Sequence, residues 1–555
     1  MEGAAVNPGP HTEPLPPDPD ATAPALPRAA KTQEALGGHA ARGVSFMMAQ
    51  SLATRVFALV CQMALAYLLV PEHFGLIALA DTIASFANML QLIGVREVLV
   101  ARHRRFRIYG NAGFWITLST GLATAAIVAG AAPIAASVYG APDLIGIMLV
   151  LALAQPFYAL CTVPEAKLQS ELRFKRLAGI IGVWAVLMPA LQVAFALMNF
   201  GAYSFVLARL IAGIVRLAMA MSGSKLHLRA RPQIRRWKFI VSSSALIFAT
   251  SVLVQLASMG DRPLLGIFVD EHQVGLYAFA YALSLQTIML IANSLDGVLF
   301  ATMAKLNDEP KRQLHAFLRA SRALAMVVVP MCIIQAAVSD AAVHTVFPYD
   351  KWKDAIPAMQ ILGVGMLFLG AFSPASSLLS AQQRFRTRFF MSVAHTLVYG
   401  VTVIGGVILG RKYLPAGSGG VTGAAAGVAI AMAAMYPLWA YVAIKKLGGH
   451  AHEALRIIAR PLAASLLATA IGLLAGEAAR RGVIAAGHPR FEHWARLFIT
   501  GSVSLAAYVP LARVLMPREF TEIAVKILAM GRRFSPAVAS RTAALLRIEV
   551  ANPTP

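Results

Sequence analysis

Apolar runs of twenty or more residues recur along the chain from Gly43 to Met516. Each is long enough to cross a hydrocarbon core of about 30 Å at about 1.5 Å rise per residue. None shows the period-two alternation of a membrane barrel, so the runs read as helices, whose backbone groups satisfy one another without water. The rest of the composition agrees: 58% of the 555 residues are hydrophobic and 14% are charged. A mean hydropathy of +0.66 lies outside the range of soluble domains. The expected fold is an all-α integral membrane protein with fourteen spans: 43–70, 74–95, 110–138, 143–163, 177–198, 201–222, 239–269, 274–300, 322–346, 355–380, 389–410, 420–444, 457–475 and 494–516.

Charge placement tests that division independently. With the N-terminus in the cytoplasm, 37 of the 49 Lys and Arg residues fall in segments on the cytoplasmic side, eight in loops on the other side and four inside spans. This is the positive-inside pattern for an even number of spans with both termini inside. It also accounts for the net charge of +23 without nucleic acid, since basic loops set topology and attract anionic lipid headgroups.

The ends of the chain differ from its body. Residues 1–42 are rich in Pro and Ala without an apolar stretch and read as a disordered cytoplasmic arm. Residues 517–555 read as a basic amphipathic tail on the inner leaflet; REFTEIAVKILAMGRRF carries its apolar residues at helical spacing. Cys61, Cys161 and Cys332 all fall in apolar runs, with no metal-ligand or disulfide spacing.

One junction is written twice. LLVPEHFGLIALA at 68–80 has a near-copy in IFVDEHQVGLYAFA at 267–280: Gly75, Leu76, Ala78 and Ala80 match Gly275, Leu276, Ala278 and Ala280 at an offset of 200. A second pair, VPEAKLQSELRFKR (163–176) and SPASSLLSAQQRFRTR (373–388), places a Pro before a basic Arg-Phe-Lys/Arg turn in both copies. The repeat therefore comprises six spans and starts on the cytoplasmic side each time, which predicts two lobes related by an axis along the membrane normal. The expected organisation is a first lobe at 43–222, a basic linker at 223–238, a second lobe at 239–445 and an appended helix pair at 446–516.

These stretches, together with GVREVLV, DRPLLGIFVDEHQVGLYAFAYALS and FPYDKWKDAIPAMQIL in that order, resemble the polysaccharide transporter family, the Wzx-type flippases of the MOP exporter superfamily. The resemblance covers about residues 43–445. It implies two six-helix lobes in a V around a central cavity, no cofactor, and residence in a bacterial inner membrane. It also implies that a polyprenyl-pyrophosphate-linked oligosaccharide moves from the cytoplasmic to the periplasmic leaflet, with a polysaccharide polymerase and a chain-length regulator as partners.

Such cargo presents a doubly charged pyrophosphate, hydroxyls and an apolar tail, so intramembrane cations and aromatic rings mark the expected path. Ser51, Arg55 and Gln62 share one helical face in the first span; Asp81, Ser85 and Asn88 share one in the second. Ser244, Ser251, Gln255, Ser258 and Arg262 form a polar stripe in the seventh, and Tyr277, Tyr281 and Ser284 open the eighth. Arg55 and Arg262 are the candidate pyrophosphate ligands; the other positions are candidate cavity lining. Interhelical hydrogen bonds and buried ion pairs, such as Arg55 with Asp81, are the competing account. Asp261 and Asp81 are candidate ion-coupling carboxylates, and Asp261 has a pair with Arg262 as its other option. Arg209 and Arg216, seven apart, share a face of the sixth span; Arg216 and Asp296 lie near cytoplasmic span ends, while His73 and His272 occupy the outer junctions.

Absences narrow the class. The sequence has no GxxxxGK[ST] for nucleotide, no H-E-x-x-H and no compact nucleophile–base motif, so an enzyme is not expected. A membrane polysaccharide polymerase needs a long external loop, which is missing. A MATE-like drug or cation antiporter would favour carboxylates over arginines, and a lipid II flippase shares the cationic logic. Topology is directly testable: a reporter active only in the periplasm should be silent at Pro555 and active at the 198–201 turn. The reverse result refutes the fourteen-span scheme.

Overall fold

The computed structural model describes residues 53–91, 95–101, 106–171, 173–224, 226, 261–289, 299–300, 302–415, 417–517, 519–522 and 524–525. The chain separates into two compact units, Met1–Phe57 and Ala58–Pro555. Of the first, only residues 53–57 are described, and the contacts given below all lie within the second. Every regular element among the described residues is helical.

The helices in chain order are α1 (Ala53–Leu68), α2 (Pro71–Asn88), α3 (Val95–Ala101), α4 (Phe106–Tyr139), α5 (Leu144–Ser170), α6 (Phe174–Leu197), α7 (Tyr203–Ser224), α8 (Asp261–Phe268), α9 (Glu271–Met289), α10 (Pro310–Val346), α11 (Ile356–Phe372), α12 (Pro374–Ala381), α13 (Phe385–Tyr413), α14 (Gly419–Lys445), α15 (Ala451–Ala485) and α16 (Glu492–Leu515). Eleven helices among the described residues are long and apolar enough to cross a membrane. They correspond to eleven of the fourteen expected spans. The other three, 43–70, 239–269 and 274–300, fall partly outside the described residues.

Several helices run well past their apolar stretch. The helix α10 begins at Pro310 and spans 37 residues, whereas hydropathy places the span at 322–346. Its first three turns hold Lys311, Arg312, His315 and Arg319, which carry the helix beyond the hydrocarbon without breaking its hydrogen bonds. Proline is tolerated inside α4, α5, α6, α10, α14, α15 and α16, because neighbouring helices can satisfy the freed carbonyls.

The two duplicated stretches adopt matching conformations. The turn before α6 has Arg173 at φ −82°, ψ 49°, and the turn before α13 has Arg384 at φ −84°, ψ 55°. Each arginine reaches the carbonyl end of a later helix: Arg173 Nη1 donates to Gly223 O at 3.3 Å, and Arg384 Nη1 to Val442 O at 3.0 Å. Carbonyls in a last helical turn lack intrahelical donors, and a guanidinium supplies them.

The other duplicated pair meets face to face. A Cβ built on Gly75 would lie 1.8 Å from Glu271 O, and one on Gly275 would lie 1.8 Å from Pro71 O. The backbones of α2 and α9 therefore touch where only glycine fits. Around this contact His272 Nδ1 lies 2.7 Å from Glu72 Oε1, and Phe74 packs edge-on against Phe205 and Trp352 at 5.4 and 5.2 Å. Phe279 stacks on Trp352 at 4.0 Å, whose indole N–H donates to Ala66 O at 3.0 Å. Lys351 Nζ bonds Tyr67 O at 3.0 Å, so the short helix Tyr349–Trp352 closes the C-terminal end of α1.

Gly75→Ala and Gly275→Ala should each force α2 and α9 apart, at a cost of about 1–3 kcal/mol typical of overpacking. The expected readout is a loss of disulfide cross-linking between cysteines placed at Glu72 and His272. Gly130→Ala, which meets nothing within 4 Å, should leave the cross-link intact.

Candidate functional site

A polar cluster forms where α8 and α9 meet α13 and α14. Asp261 opens α8 and is buried, at 1% exposure. Its Oδ2 accepts a hydrogen bond from the Tyr277 hydroxyl at 2.5 Å, while Oδ1 is buried without a hydrogen-bond partner among the described residues. Tyr277 and Tyr281 sit one turn apart on α9 with ring centroids 6.0 Å apart. The Arg262 guanidinium lies over the Tyr281 ring, 5.6 Å from its centroid, a distance at which ring quadrupole and cation attract. Adjacent helical positions are about 100° apart, and among the described residues the hydrogen-bond partner of the Asp261 carboxylate is Tyr277 rather than Arg262.

Further aromatic groups close this cluster from the facing helices. His395 of α13 lies 6.2 Å from the Tyr399 ring and 5.4 Å from the Tyr436 ring of α14. The Tyr399 hydroxyl is buried beside the same carboxylate, as a second phenol that interacts with Asp261. Two phenols thus face one buried carboxylate, and a phenol O–H is the donor in such a pair.

The N-terminal helices carry a second, mostly paired network. Arg209 of α7 grips Asp81 of α2 through both guanidinium nitrogens, Nη1 on Oδ1 and Nη2 at 3.0 Å from Oδ2. Tyr158 donates to Arg209 O at 3.0 Å and accepts from Trp184 Nε1 at 3.3 Å. Arg216 lies over the Trp184 ring at 5.2 Å and donates to Glu165 Oε1 at 2.8 Å. Arg96 closes the series on Glu165 Oε2 at 2.5 Å. Glu165, 1% exposed, thus sits between two guanidinium groups, which compensate its burial.

Of the residues expected to line a path, Asp261, Arg262, Tyr277 and Tyr281 come together. Gln62 accepts from Gln286 Nε2 at 2.9 Å and ties α1 to α9. Asp81 is bound to Arg209, and Asn88 accepts locally from Gln91 at 3.0 Å; Ser85 is half-buried on α2. Ser284 donates to Met359 O at 3.4 Å. Arg55 lies on α1 within the first compact unit. Ser51, Ser244, Ser251, Gln255, Ser258 and Asp296 lie outside the described residues. Sequence reasoning missed Glu165, Arg96, Tyr399 and His395. The spacing of His395 and Tyr399, four apart in an apolar span, was the available signal for the last two. Among the described residues no group of three His, Cys, Asp or Glu side chains could hold a metal ion.

Comparison with known proteins places this geometry. The family described as "Polysaccharide biosynthesis protein" matches residues 64–357, more than half of the chain. The chain belongs to this family. As a polysaccharide biosynthesis protein it is 25% identical over 354 residues to the lipopolysaccharide biosynthesis protein WzxC of Escherichia coli, covering 62% of this chain and 71% of that one. It is 23% identical over 327 residues to the teichuronic acid biosynthesis protein TuaB of Bacillus subtilis (59% and 68%). It is 22% identical over 317 residues to the succinoglycan biosynthesis transport protein ExoT of Rhizobium meliloti (56% and 63%). The alignment therefore spans less than two thirds of ExoT. In fold the polysaccharide biosynthesis protein is similar to the lipid II flippase MurJ in an inward closed conformation, with a TM-score of 0.66, 14% identity and coverage of 84% of this chain and 98% of that one. It is also similar to an inward-facing multidrug resistance MATE transporter of the MOP superfamily, with a TM-score of 0.54, 16% identity and coverage of 71% and 95%. It is an all-α, multi-pass membrane protein.

Asp81→Asn should leave Arg209 without its counter-charge and lower stability by on the order of 2 kcal/mol, less than a fully buried pair because both side chains keep some exposure. A fall in Tm of the purified protein, reversed in part by the exchange Asp81→Arg with Arg209→Asp, checks this. An unchanged Tm for Asp81→Asn shows that the pair is energetically idle.

Proposed function

We propose that the protein carries polyprenyl-pyrophosphate-linked oligosaccharide repeat units from the cytoplasmic to the periplasmic leaflet of a bacterial inner membrane, by alternating access, for an exopolysaccharide or other surface polysaccharide. The observation that carries this reading is the family match over 64–357. It joins the chain to proteins named for lipopolysaccharide, teichuronic acid and succinoglycan biosynthesis, one of them for transport. The protein acts as a carrier rather than an enzyme in this reading. A polymerase and a chain-length regulator are its partners on the receiving side.

The six-span lobes at 43–222 and 239–445, with linker 223–238 and appended pair 446–516, belong to the same proposal. The matched arginine turns and the Gly75–Gly275 contact support it. Arg262 is proposed to contact the pyrophosphate, because a guanidinium binds phosphate oxygens with a planar fork and stays charged at any working pH. Arg55 carries the same proposal on sequence grounds alone. Asp261 is proposed as the ion-coupling carboxylate in preference to Asp81, whose oxygens Arg209 already occupies. The same buried carboxylate is what a cation antiporter would use, so a MATE-like activity is the second reading.

A deletion strain should lose surface polysaccharide while undecaprenyl-linked repeat units accumulate on the cytoplasmic face, measured by extraction and mass spectrometry. Normal polymer output with lost drug resistance supports the antiporter instead. In complementation, Arg262→Ala should reduce export about tenfold or more, as expected for loss of a charge-assisted phosphate contact, and Arg262→Lys should restore part of it. Wild-type export by an Arg262→Ala variant that inserts normally removes this arginine from the mechanism.

A further inference from the structure

Neither the duplicated lobes nor the polar clusters use a third group of charges at the end that carries the basic loops. There α10, α15 and the segment after α16 enclose a cavity of about 360 Å³, lined by Arg322, Arg456, Arg460, Ile457, Met516 and Glu519 among others. Glu519 is the only described carboxylate in that lining, and it lies 3.6 Å from Arg322. The neighbouring Arg319 is already held by Glu522 at 2.6 Å. Arg456 and Arg460 are exposed, so the cavity carries an excess of positive charge.

The helix that bears these two arginines continues as a lipid-length apolar face. Arg456, Arg460, Ala463, Leu467, Ile471 and Leu474 follow one another at steps of four or three and so share one side of α15. Leu467, Ile471 and Leu474 are 55%, 48% and 75% exposed. From Arg460 to Ile471 the rise is about 16 Å, close to half of a hydrocarbon core of about 30 Å. A cationic pocket at the head of an apolar strip one leaflet deep has the polarity profile of a phospholipid.

We propose that this site binds an anionic phospholipid from the leaflet next to the basic loops. Its phosphate diester lies among Arg322, Arg456 and Arg460, and an acyl chain runs along Leu467, Ile471 and Leu474. Guanidinium forks suit phosphate oxygens, and basic pockets between membrane helices take such headgroups. The Arg322–Glu519 and Arg319–Glu522 pairs already join α10 to the segment after α16, and the bound lipid fastens α15 to both. A free phosphate offers the same charge but leaves the apolar strip unused.

The test uses the full-length protein in detergent, titrated with phosphatidylglycerol, phosphatidylcholine of the same chains, or inorganic phosphate, and read by thermal shift and native mass spectrometry. Phosphatidylglycerol should raise Tm and persist as a bound adduct, whereas phosphatidylcholine and phosphate should do neither. The double variant Arg456→Gln, Arg460→Gln removes two exposed side chains and should weaken phosphatidylglycerol binding roughly thirtyfold, for two surface-facing charges. Equal effects of the two lipids, saturation by inorganic phosphate alone, or wild-type affinity in the double variant would overturn the assignment. The comparison of ligands on the unaltered protein decides the matter even where the variant does not fold.

Discussion

The backbone contact between Gly75 and Gly275 sets the geometry of its surroundings. With no Cβ on either side, α2 and α9 approach until each glycine meets a carbonyl of the other helix. That distance places Phe74 and Phe279 against Trp352 and brings Glu72 within hydrogen-bond reach of His272. It also fixes the start of α9, and with it the positions of Tyr277 and Tyr281 above Asp261 and Arg262. A side chain at either glycine would separate the aromatic cluster before it reached the polar one.

At membrane depth the second constraint is that charge must find a partner. The N-terminal helices meet it with pairs: Asp81 with Arg209, and Glu165 between Arg96 and Arg216. The cluster around Asp261 meets it only in part, because Tyr277 satisfies one carboxylate oxygen and the other has no hydrogen bond among the described residues. Tyr399 stands beside the same carboxylate as a second phenol, so this charge is met by neutral hydroxyls where the N-terminal carboxylates are met by guanidinium groups.

The spans were legible because apolar length is a direct physical requirement of the bilayer, and the matched glycines at 75 and 275 because both are needed for one contact. Helix ends were less legible: hydropathy ends at Arg322, whereas backbone hydrogen bonding continues to Pro310. Charge partners were not legible at all. Arg209 lies 128 residues from Asp81, and nothing in either local pattern ranks that arginine above Arg55. The closeness of Tyr277 to Asp261 follows from the bend at Val269–Asp270 between α8 and α9, a tertiary fact that face-counting within single helices does not contain.

The duplicated junctions share a sequence pattern but not a bonding pattern. Glu72 meets His272, yet His73, at the equivalent place in the first copy, turns its ring to Gly201 and keeps a buried Nδ1 without a partner among the described residues. The joint between α2 and α9 is therefore fastened by one polar catch and a glycine seam. Beside the seam both helices bury side chains in one shared cluster, Leu76 and Leu79 of α2 with Leu276 and Phe279 of α9 among them. Two helices can thus meet backbone to backbone, where no side chain intervenes, and leave their specificity to a single polar contact and to the buried side chains on either side of it.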